Sequence, residues 1–149
     1  MAHVRQQIID NLATTLTGLT TTGPRVYPSR VDPLRSNEVP GLLIYDTDET
    51  IDEEQSTLQA QFRNPIMVIE GHAEAASGDA ISDLLNLIAS EVETAIFVDI
   101  TRNGKALATF YSSTSKTYDA SADKVVGIIR MEFITSYMTE TGVPDVPLT

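Results

Sequence analysis

The chain has 149 residues, no cysteine and a formal net charge of −11, a length that suits one domain with its own core. With 42% apolar and 21% charged residues it is globular by composition, and the missing cysteines exclude a disulfide scaffold and any thiolate metal site. The acidic balance excludes adhesion to nucleic acid through a basic patch, because that needs clustered Lys and Arg to displace counterions.

No apolar run reaches the length of a membrane span. The opening MAHVRQQIIDNL lacks the basic and continuously apolar regions of a secretory signal. A cytosolic site of synthesis and no membrane partner are therefore expected. From the N-terminus, Val4, Ile8, Leu12, Leu16 and Leu19 recur at helical spacing, which predicts a helix over about 2–18. Gly23-Pro24 stops it, and Arg25-Val26-Tyr27 is a short strand. The stretch from Pro28 to Pro40, rich in Pro and Arg, reads as an ordered loop. Gly41 to Tyr45 is a continuous apolar run, as in a strand buried on both faces. Leu58 to Arg63 alternates like a half-buried strand; Pro65 predicts a bend or an edge position, and Ile66 to Ile69 resumes.

Ser77 or Asp79 can cap a second amphipathic helix over about 80–94, carrying Ile81, Leu84, Leu85, Ile88 and Val92. Phe97 to Ile100 is expected to return to the sheet, and Asn103-Gly104 is a tight-turn signal. Two long strands follow, Leu107–Tyr118 and Val125–Met138, reversed by Asp119 to Asp123. The tail from Gly142 holds Pro144 and Pro147 and is expected to be an extended arm over 142–149, ordered only by a neighbouring chain. The order predicts a single α+β domain over 1–149: a mostly antiparallel sheet with a long C-terminal β-hairpin and two helices packed on one face.

Residues 46–54, DTDETIDEE, hold Asp46, Asp48, Glu49, Asp52, Glu53 and Glu54. An EF-hand loop needs Gly at position 6 and Glu at 12, and counting from Asp46 those positions are Ile51 and Thr57. Paired-carboxylate catalysis needs one acid desolvated relative to the other, and six acids crowded in an expected loop offer no such asymmetry. A solvated charged loop or assembly surface is expected instead. Glu70, His72 and Glu74 would share one strand face and are the one constellation compatible with a metal-assisted hydrolase. No Gly-x-Ser-x-Gly elbow and no phosphate loop is present, so neither catalysis nor a cofactor is expected. On the final strand Ile129, Met131, Phe133, Thr135 and Tyr137 share one face, while Ile128, Ile134 and Met138 lie on the other. Apolar residues on both faces call for a second burial partner, either the rest of the fold or a neighbouring subunit.

HVRQQIIDNLATTLTGLTTTGPRVYPSRVDPL, then EVPGLLIYDTDE, then YSSTSKTYDASADKVVGIIRMEFITSYMTETGVPD resemble the tail terminator (tail completion) proteins of long-tailed bacteriophages. The likeness runs from about Val4 to Pro144 and rests on the order and spacing of short patterns. It implies a structural virion protein of the tail and neck, assembled in the host cytoplasm. Such a subunit would form a homo-hexameric ring on the last ring of tail tube protein, stop tube polymerisation and offer a surface to the head–tail connector protein. DNA would cross the ring without specific binding. The acidic stretch is then the candidate channel-facing element, and Ile128, Ile134 and Met138 the candidate subunit contact. A head–tail connector or neck protein is the alternative, with the small metal-assisted hydrolase behind it.

Overall fold

The computed structural model describes residues 1–120 and 123–148. In chain order the elements are α1 (Val4–Leu16), β1 (Val26–Pro28), β2 (Gly41–Asp52), β3 (Ala60–Ala75), α2 (Gly78–Ile96), β4 (Ala108–Ala120), β5 (Val125–Glu140) and β6 (Val143–Leu148). A single 3-10 turn spans Ser36–Glu38 in the loop before β2.

The sheet runs β1-β2-β3-β5-β4, with β6 also on β5. Only the short β1–β2 pair is parallel; the other pairs are antiparallel. This is the α+β arrangement expected, with its long C-terminal hairpin. The turn centre of that hairpin, residues 121 and 122, lies outside the described residues.

One face of the sheet, here the helix face, carries Leu42, Ile44, Met67, Ile69, Ala73, Ile129, Met131, Phe133 and Tyr137, packed in one cluster with both helices. From α1 it takes Val4, Ile8, Ile9, Leu12 and Leu16; from α2 it takes Ile81, Leu85, Ile88, Ala89, Val92 and Ile96. Ser77 caps α2 by accepting from the Ala80 N–H at 3.2 Å. Two glycines let α2 sit against the strands. A Cβ on Gly71 would come within 2.8 Å of Ile88, and one on Gly127 within 2.7 Å of Ile81. Only a residue without Cβ admits a helix so near the backbone.

Four expectations need correction. Phe97 to Ile100 does not return to the sheet: these residues form turns, held by the buried Arg102, whose guanidinium donates to the Ile96 and Asp99 carbonyls. Pro65 does not mark an edge. It sits inside a strand flanked on both sides, and its missing N–H falls where β2 shifts register between Asp46 and Glu49, a bulge that needs no donor from it. The acidic stretch is not a loop, as described below. The tail from Val143 does not wait for a neighbouring chain, because it pairs with this chain's own β5 (Met138 opposite Leu148, Thr139 opposite Pro147). Gln7 Nε2 also ties it to α1 by donating to the Asp145 carbonyl at 2.8 Å. Its prolines leave the ladder short without preventing it.

Candidate functional site

The acidic stretch begins where β2 leaves the core. Gly41 to Ile44 are buried, and the strand then continues through Asp52, with Thr50, Ile51 and Asp52 opposite Asn64, Arg63 and Phe62 of β3. Backbone pairing and the β-branched Thr47, Thr50 and Ile51 hold it extended despite its charge. Its six acids occupy different environments. Asp46 and Glu49 stand opposite Met67 and Pro65, which turns them to the helix face beneath the start of α1. Glu49 accepts from Arg5 Nη1 at 2.7 Å, from the Tyr137 hydroxyl at 2.6 Å and from Arg63 Nη1 at 3.4 Å. Only 10% of its side chain is exposed. Burial, reinforced by the Glu49 hydrogen bond, pushes the Tyr137 phenol well above its ordinary range. Arg5 also reaches Asp46 at 3.8 Å.

Asp52 closes the turn after β2, accepting from the N–H groups of Glu54 at 3.0 Å and Gln55 at 3.3 Å. Asp48, Glu53 and Glu54 are exposed and form no ion pair among the described residues. The expected uniformity of the six acids therefore fails. A residue of strand pattern, Arg5 on the first helix turn and Arg63 on β3 together single out Glu49, and sequence separation hid that grouping.

The opposite, open face of the sheet carries a polar row. Leu43, Glu70 and Arg130 stand side by side, as do Tyr45, Val68 and Glu132. The Tyr45 hydroxyl donates to Glu70, whose other oxygen lies 2.9 Å from His72 Nε2. Arg130 reaches the Tyr45 hydroxyl at 3.4 Å and Glu132 at 3.5 Å. The hydrogen bond from His72 holds Glu70 below the usual carboxylate range. Burial and the Glu70 contact push Tyr45 up to about 12. Glu74 turns elsewhere, to Lys124 at 3.1 Å and Ser36 at 3.2 Å. Glu70, His72 and Glu74 thus do not converge, and among the described residues no three His, Asp or Glu groups are placed to hold a metal. No helix among them is long and apolar enough to cross a membrane.

Ile128, Ile134 and Met138 all lie on this open face, each half-buried. Ile134 stands between Ile66 and Phe110, and Met138 between Phe62 and Leu148. Asp52 is in the same cross-strand row as Phe62 and Met138. Ile128, opposite His72 and Thr117, is at the other end of the strand. The structure therefore brings one of the three apolar residues near the acidic stretch and leaves the other two further along β5. Phe110 extends the apolar row to the free side of β4 and is 55% exposed. Sequence reading passed over it because strand periodicity does not reveal which strand is outermost.

No protein-family model and no curated protein sequence matches the chain. Among solved structures it is similar to a chain in the virion of a native gene transfer agent particle, with a TM-score of 0.51 and 17% identity over 92% of each chain. At that identity the likeness is one of fold.

Proposed function

We propose that this protein is a structural subunit of a virion, and that it acts as a tail terminator: a ring that caps the tail tube, stops its polymerisation and presents a surface for head–tail joining. The observation that carries the reading is the fold shared with a virion chain over 92% of both molecules, taken with the terminator-like order of sequence patterns. An apolar strip left on the open sheet face gives the subunit something to bury in an assembly. In the ring, Ile128, Ile134 and Met138 lie at or beside the contact between copies. Asp48, Asp52, Glu53 and Glu54 lie near the channel, where their charge keeps passing DNA from adhering; Asp46 and Glu49 are already engaged by Arg5, Arg63 and Tyr137.

The test is electron microscopy of the purified protein mixed with tail tubes. The expected image is a six-fold ring on one tube end, together with arrest of further tube growth. A single copy per tube, or a non-ring arrangement, overturns the reading. Binding to the connector without capping tubes reassigns the protein to the neck.

A further inference from the structure

Besides the short outer sides of β1 and β6, two longer strand edges of this sheet have no partner among the described residues. β1 covers β2 only from Leu42 to Ile44, so Tyr45 to Asp52 is open on that side. β4 is bonded to β5 alone, so its outer side is open from Ala108 to Ala120. Open edges present N–H and C=O groups that template another strand, and proline is a common way to block them. Neither edge contains one. A bulge between Tyr111 and Ser113 bends β4, and from Ser113 to Ala120 its register is unbroken.

The two edges differ in charge. Along β2 the exposed Asp48 has no ion-pair partner among the described residues, and Glu53 and Glu54 extend the acidity into the turn. From Ser113 to Ala120, β4 carries Lys116 and Asp119 and is neutral overall, whereas Tyr45 to Asp52 of β2 holds four acids and no base. The Lys116 ammonium donates to the neutral Asn86 side chain at 2.6 Å. In a chain of net charge −11, two β2 edges repel each other and two β4 edges relieve no charge; the unlike pair is favoured. Apolar residues agree. Ile51 on β2 and Tyr118 on β4 both point to the helix face, 41% and 50% exposed, and an added strand would cover each.

Position completes the case. β1 blocks the start of β2, so the open part is the half near Asn64 of β3. The unbroken part of β4 lies at the other end of the sheet, where Tyr118 stands opposite Gly127 and Gly127 opposite Ala73. Joining them staggers one sheet against the next, as closure of strands around an axis requires. We propose that the acidic edge of β2, Tyr45–Asp52, pairs with the Ser113–Ala120 edge of β4 on a second copy of this chain, forming a heterologous contact that repeats around the ring. This rests on the ring reading and adds which edges meet.

The natural absence of cysteine permits a direct test. Thr50, Ser115 and Thr117 are exposed and face the open side, so Thr50→Cys with Ser115→Cys, or with Thr117→Cys, places thiols within disulfide reach across the junction. Mild oxidation should give a ladder of covalent multimers, while Thr50→Cys with Thr114→Cys, whose thiols face opposite sides, should give none. Lys116→Glu should weaken association about tenfold at low salt, with an unchanged far-UV spectrum. Light scattering on the same samples separates the two ideas. An oligomer without a ladder in either same-face variant, in solution or on added tail tubes, overturns the edge pairing alone; a monomer at every concentration that also forms no ring on tail tubes overturns it together with the ring.

Discussion

Glu49 shows how one side chain can differ from five others in the same run. It takes three hydrogen bonds from Arg5, Arg63 and Tyr137, linking α1, β3 and β5 through one carboxylate. Replacing it with alanine leaves two guanidinium groups and a buried hydroxyl without their acceptor. The expected loss is about 3 kcal/mol, read as a lower urea midpoint. Asp48→Ala, on the same strand but exposed, should stay within about 0.5 kcal/mol of the parent. Equal effects from the two would mean that Glu49 is only another solvated acid. The neighbouring Arg63 Nε is buried without a partner, which makes the site sensitive to any further loss.

At the scale of elements, the seating of α2 on β3 and β5 decides the core. Gly71 and Gly127 stand on adjacent strands, and Ile81, Leu85 and Ile88 of α2 occupy the space where their side chains would be. Gly127→Ala should overpack the junction, costing about 1–3 kcal/mol, measured by thermal or denaturant unfolding. Gly78→Ala is the control, since a Cβ there meets nothing within 4 Å. If both variants are equally stable, the helix has room to lift, and the close contact is not a constraint. The helices were legible from their apolar spacing: α1 and α2 differ from expectation by a turn or less. The close packing was not, because a glycine in a strand pattern does not say which neighbour approaches it.

For the whole molecule, the proposed ring would couple charge to assembly. The turn after β2 carries Glu53 and Glu54, both exposed, and in a ring their copies gather at similar radius, where screening acts over about 8 Å at physiological salt. Neutralising them as Glu53→Gln and Glu54→Gln should leave assembly intact. Retention of DNA by the assembled rings should rise, measured by filter binding at low salt. Failure to cap tubes instead would make the turn a docking surface; no change in either would leave it a solvated turn.

Local pattern was enough to determine the helices, the long hairpin and the apolar face of β5 with Ile129, Met131, Phe133 and Tyr137, because periodicity directly reports which side of an element is buried. It determined the α+β class for the same reason, through the order of the elements. The acidic stretch misled because charge argued for a loop, while hairpin pairing with Phe62 and Arg63 across the following turn made it a strand. The tail misled likewise: Pro144 and Pro147 argued for a free arm, and only the exposed end of β5 beyond β4 gave it a strand to join. Strand order, and with it the identity of the two open edges, is a property of long-range pairing. No window of sequence contains both partners of such a pair, so the tertiary structure alone decided it.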